Sequence, residues 1–439
     1  GTGAQNNTVV EFMNRSRRDY RLAIGESNAT NNASDLSNDP HYAFSEDIKG
    51  DLRSQWDIGA FSYVDYSVSA NSFDEFGEGS ASKPYEIFSK NQLKSIGEDS
   101  ISGCNSTTNA ACDAHFILNN DIDLEGESFT PIGDDINRYS GTFDCAGKSI
   151  SNLSIDLPTT SKVGLFSSTT SPANINNCTL NDAVVRGQDS TGTLVGSADG
   201  LSVSNITISN TVVSGARFVG GLLGFAGASM SNISVSGEVT ASSRSAGGIT
   251  GHMSGGSLSD SHSSANVYGA SSRAGGLVGT IDNGGVRDSY ATGNVGGTSY
   301  VGGVVGNYAG NSSVVMENTY ATGDVTGSSN YVGGLVGYLR HSLLNCYSTG
   351  TVRGSGSDTG GLVGSFGDEA SDPETIINSY SLSDVISSGS NVGGLIGRVF
   401  NSSVSVSYSF SAGDVKSGLG NVGGLIGTTV GDVSDSYSL

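Results

Sequence analysis

The chain has 439 residues, enough for two or three ordinary domains or for one elongated repeat array. Its 65 Gly, 6 Pro and abundant Ser, Thr, Asn and Val are strand-and-turn material, and the absence of a Gly-X-Y period excludes collagen. A net charge of −22 leaves no basic footprint for nucleic acid or an anionic membrane surface, and no run approaches the roughly 18 apolar residues of a membrane helix.

Residues 1–66 are the more charged part, hold Trp56 and lack the repeat that follows. Asp19 to Leu22 and then Asp39 to Asp65 (DPHYAFSEDIKGDLRSQWDIGAFSYVD) resemble the closing coils of right-handed parallel β-helix proteins. Those often end in a phrase like D-I-G-A-[FY]-E-Y, matched here by Asp57-Ile58-Gly59-Ala60-Phe61-Ser62-Tyr63. The opening Gly1-Thr2-Gly3, without Met, reads as a processed product or a fragment. Residues 67–84 (SVSANSFDEFGEGSASKP) have linker composition.

Residues 85–160 form a lead-in. Cys104 and Cys112 bracket a short polar loop, which suits a local disulfide in an oxidising compartment. Asp121 and Asp123 alternate along a predicted strand and so share one face. They are weak candidates for a Ca²⁺ ligand pair or for paired carboxylates acting on a glycosidic bond. A structural role is the preferred reading, and no cofactor is expected.

Residues 161–439 repeat. The motif Gly-Gly-Leu-Val-Gly recurs from Gly220, Gly247, Gly275, Gly302, Gly333, Gly360, Gly393 and Gly423, at spacings of 27 to 33 residues. A second motif keeps phase with it: DSYATGNV from Asp288, NTYATGDV from Asn318, NCYSTGTV from Asn345, NSYSLSDV from Asn378. Its aromatic position is assigned to Tyr290, Tyr320, Tyr347, Tyr380, Tyr408 and Tyr437, with His262 and Ser234 there in earlier coils. A unit this short and glycine-rich buries a core only by stacking. The expected fold is therefore all-β, a parallel β-solenoid of about ten coils behind a short N-terminal β-rich unit, with neighbouring strands about 4.8 Å apart. One of Leu and Val in each GGLVG should point inward, the glycines turning the corner. The Asn or Asp two residues before most of the Tyr should bond its equivalents above and below. The Tyr column is either an interior ladder, the favoured reading, or an exposed stripe. Cys346, where sister repeats have Ser or Thr, reads as a buried inert thiol.

The two linked motifs resemble the GLUG repeat of bacterial surface proteins. The likeness extends over residues 83 to 439, including the lead-in phrases YEIFSKNQLKSI, HFILNNDIDL, PIGDD and GTFDCAGKSISNLSI, where Cys145 replaces the usual Gly of F-D-G. GLUG repeats occur in adhesin-like chains and near the N-termini of some immunoglobulin-cleaving metalloproteases. The resemblance implies an extracellular or cell-surface location and implies no activity; right-handedness too is only implied.

Catalytic patterns are missing. The histidines His41, His115, His252, His262 and His341 are scattered, and no H-E-x-x-H zinc motif occurs. One Thr per coil at Thr292, Thr322 and Thr349, lapsing at Leu382, falls short of an ice-binding face. The expectation is a non-enzymatic, acidic, secreted scaffold or adhesin, with head-to-tail self-association through open solenoid ends into a filament. A surface polysaccharide or a protein is the expected ligand. The alternative is a carbohydrate-binding or carbohydrate-cleaving β-helix, which a convergent Asp/Lys/Arg cluster in a groove would favour.

Overall fold

The computed structural model describes the backbone of Phe12–Asn14 and Asp19–Leu22, and residues 73–98, 103–105, 112–310, 314–367, 373–418 and 420–439. Two compact units result, Gly1–Ser72 and Phe73–Leu439. In the first, Phe12–Asn14 and Asp19–Leu22 pair antiparallel. The β-helix-like phrase at Asp39 to Asp65 lies outside the described residues.

The second unit is a parallel β-solenoid of about 12 turns. Hydrogen bonds run from each turn to the next, so strands stack in columns. One turn shows five of them: Arg273–Gly275, Val278–Ile281, Gly285–Arg287, Tyr290–Ala291 and Val295–Gly297. The first column is a separate sheet of 9 strands. The others merge into one sheet because mid-rod strands such as Val195–Gly215 run on through the corners. The lead-in residues build turns of their own, Tyr85 pairing Phe116 and Phe116 pairing Phe143, which raises the count above the expected ten.

Three corrections concern local structure. First, both apolar residues of GGLVG are buried, for example Leu277 with Val278 and Leu362 with Val363. The chain bends between them, so the two-residue alternation of a straight strand does not apply. Second, those glycines do turn a corner, between the first and second columns, but with negative φ; left-handed corners fall at Asp288, Asn318, Asn345 and Asn378, with φ of 50 to 56°. Asn and Asp tolerate that region because a short polar side chain can bond locally. Third, Phe73 and Phe76, inside the stretch read as a linker, are buried in the solenoid core.

The motif glycines serve close approach. A Cβ on Gly361 would lie 2.0 Å from the Gly394 carbonyl oxygen and 2.3 Å from Ser381 Oγ. In the preceding turns Gly276 and Gly303 face the Ala291 and Ala321 methyls in the same way, at 2.7 and 2.6 Å. This contact is the reason that the GG and Y-[AS] motifs keep phase.

An α-helix, Lys90–Gly97, replaces strands in the first turn. Ser89 caps it, its Oγ accepting from Gln92 N–H at 3.2 Å. Leu93 and Ile96 join the core, and Lys90 and Lys94 reach Glu127 at 2.6 and 2.9 Å. At the other end, Val422, Val433 and Leu439 are 49%, 41% and 83% exposed, whereas Val392 and Val406, one turn earlier, are buried.

Candidate functional site: the laddered outer faces

Side-chain columns follow from the parallel register, because equal positions in successive turns lie one strand spacing apart. In the fourth column the rings of His262, Tyr290, Tyr320, Tyr347 and Tyr380 stack at 4.7 to 5.0 Å, within 7° of parallel. The residue after each points inward (Ala291, Ala321, Ser348, Ser381), so the rings point out and are half-exposed. The favoured interior reading of this column is corrected: an inward Tyr would collide with the glycine floor opposite.

Tyr408 is not in the ladder. It takes the left-handed corner position of Asn378, with φ 50°, and is 64% exposed. Phe410 pairs with Tyr380 instead, at 4.9 Å and 5°, and hands the stack to Tyr437. The sequence offset that would have shown this is the S-A-G-D-V after Phe410, matching the S-L-S-D-V after Tyr380.

The corner residues bond along the rod. Asn345 donates to Asn318 at 3.1 Å and Asn318 to Asp288 at 2.9 Å. Asn232 donates to Asn205, and Asn205 to Asn177, at 2.8 and 2.9 Å. Asn152 makes such a bond too, donating to Asp123 at 2.8 Å.

Asp121 and Asp123 do point outward together, but each is occupied. Asp121 accepts from the Ser149 amide at 2.7 Å and its hydroxyl at 2.9 Å, and these bonds hold its pKa below the ordinary value. Asp123 is lowered likewise, first by Asn152 and then by the Glu125 amide. Among the described residues no three His, Cys, Asp or Glu converge as a metal cage.

The cysteines behave as structural elements. Cys104 and Cys112 are bonded, and so are Cys145 and Cys178, a pair that sequence reading missed. The second bridge joins neighbouring turns and gives a reason for Cys at the F-D-G position. Cys346 is fully buried, and burial pushes its thiol up to about 12.

A groove of about 430 Å³ opens on the fifth column, lined by Glu238, Thr240, Asn266, Tyr268, Asn294 and Asp324 among others. It exists because Gly296 leaves a notch in the outward row below Tyr268, whose ring leans over it and is 54% exposed. Nothing in the sequence marked this groove.

Comparison with known proteins adds three findings. Residues 328–353 match the family model described as the GLUG motif. Halomucin of Haloquadratum walsbyi is 35% identical over 152 residues, 34% of this chain. The chain spans only 2% of halomucin's length. A solved protein of Bacteroides ovatus, provisionally described as an immunoglobulin A1 protease, is 18% identical over 83% of this chain and 88% of that one. Its TM-score of 0.30 is too low to carry an argument. The chain is a parallel β-solenoid that bears the GLUG motif.

Proposed function

We propose that the protein is an extracellular, non-catalytic scaffold of the cell surface, adhesin-like in presenting its long faces to ligands. The observation that carries this reading is the ladder system. The ladder Tyr, Asn and Asp side chains on the outer faces stack or bond one turn on the next, as load-resisting columns require. The GLUG match and the halomucin likeness support a surface placement. Protease treatment of intact source cells, followed by immunoblotting, tests it. Degradation of the chain before lysis is expected; full protection until lysis would overturn the reading.

Sugar binding is a second reading, favoured by the Tyr268 groove with its exposed ring and polar walls. Filament assembly through the solenoid ends, the sequence-based expectation, is not part of this proposal: the Lys90–Gly97 helix takes the place of strands in the first described turn.

A further inference from the structure

A second surface, on the opposite side of GGLVG from the tyrosine ladder, combines aromatic rings with cations that make no close ion pair. It lies where the first column meets the second. Phe225 stacks on His252 at 4.9 Å and 7°, and Phe218 packs edge-on against both rings, at 5.8 and 4.9 Å. The Arg244 guanidinium sits 5.1 Å from the Phe218 centroid, and that of Arg273 sits 5.6 Å from Tyr300. Tyr300, Tyr331 and Tyr338 continue the aromatic strip over the next turns, with centroids 4.8 to 5.9 Å apart. All five of these Phe and Tyr are half-exposed.

The charges are unusual for a chain of net −22. Arg217, one turn before Arg244, is neutralised by Asp189 at 2.6 Å. Neither Arg244 nor Arg273 has an ion-pair partner among the described residues. The nearby carboxylate of Asp282 is held instead by His252 Nε2 at 3.0 Å. The Arg273 Nε–H is buried with no acceptor, and His252 Nδ1 is buried with no hydrogen-bond partner. Burial and then the Arg244 charge lower the Arg273 pKa, so the two guanidiniums sense each other. A partly buried guanidinium beside a second cation is costly, and a ligand that brings an anionic group to the exposed side of the pair offsets that cost.

We propose that Arg244 and Arg273, flanked by the Phe218 and Tyr300 rings, bind the anionic substituent of a charged sugar unit in an extracellular polysaccharide. The guanidiniums supply charge-assisted bonds to a carboxylate or sulfate, and the rings supply apolar faces for the pyranose. The aromatic strip running along several turns suits a linear polymer better than a compact ligand. The proposal deepens the sugar-binding reading but places it on a different surface from the Tyr268 groove.

Binding of the full chain to immobilised polygalacturonate, dextran sulfate, neutral dextran and polyglutamate tests it. Polygalacturonate and dextran sulfate distinguish carboxylate from sulfate recognition, and binding of either, weakening with added salt, is expected. The double substitution Arg244→Gln/Arg273→Gln should weaken that binding about tenfold or more. The charge-matched control Arg186→Gln/Arg353→Gln should leave it within about twofold, since exposed charges elsewhere act only weakly. Tyr268→Ala should have no effect; a loss there with intact arginine variants would place the sugar in the groove and overturn this assignment. Equal binding to polyglutamate, equal binding to neutral dextran, or no binding to any anionic glycan also overturns it. Unchanged melting temperatures would show that the variants are folded.

Discussion

A column of buried hydroxyls adds to the backbone ladders that join the turns. Ser379 Oγ donates to Ile377 O of its own turn, 2.9 Å, and accepts from the Cys346 amide of the previous turn at 3.1 Å. Ser261, Ser289 and Ser409 repeat this arrangement, and Thr319 makes the same bond within its turn, to Glu317 O. Ser379→Ala therefore leaves one buried amide without an acceptor, and a loss of about 1–3 kcal/mol is expected in urea unfolding. His341 makes a pH-dependent contribution. Burial, then the Arg340 charge, lowers its pKa from 6.5 to about 4, so the unfolded chain takes up the proton first. Stability should fall as pH drops from about 6.5 towards 4 and level off below, and His341→Gln should flatten that part of the urea-midpoint profile. At this scale the Asn–Asp ladder was legible, because Asp288, Asn318 and Asn345 hold a fixed offset from Tyr. Phe410 was not, because Tyr408 offers a better-looking aromatic two positions away. The half-exposure of the ladder was hidden as well: ring size argues for burial, and only the glycine floor opposite excludes it.

Between elements, packing distance rather than propensity fixes the repeat. Gly361→Ala puts a methyl into the Gly394 carbonyl and Ser381 hydroxyl, and a destabilisation at the top of the about 1–3 kcal/mol range for overpacked cores is expected by thermal unfolding. Pairing it with Ser381→Gly should recover only part of the loss, since the carbonyl clash remains. The Cys145–Cys178 bridge spans 33 residues of sequence. Its removal by Cys145→Ser/Cys178→Ser should cost about 3–4 kcal/mol on the chain-entropy account, read as a lower melting temperature under non-reducing conditions. That pairing could not be seen in the sequence, because 33 residues become neighbours only once the turn length is known. The Lys90–Gly97 helix was equally hidden, its eight residues lying inside a lead-in whose neighbours read as strand.

Across the whole solenoid unit the two ends differ. The first described turn holds a helix and four acidic–basic contacts, through Lys83, Lys90 and Lys94. The turn from residue 420 onward is paired on one side only. In a chain of these 439 residues, amide exchange should be fastest in that last turn and slowest mid-rod, a gradient that mass spectrometry can read. Uniform exchange along the rod would contradict nearest-neighbour stacking as the source of stability.

The shared column of Gly333 and Gly360 has a consequence for length. Excising residues 334–360 joins Gly333 to Gly361 with every column continuous, and Tyr320 would come to stack on Tyr380. Such a deletant should still melt cooperatively while its rod shortens by about 4.8 Å, the spacing of one strand. The molecule is in that sense a ruler with one kind of tick. Its reach can be reset by copying or losing a tick, with no other part of the chain having to adjust.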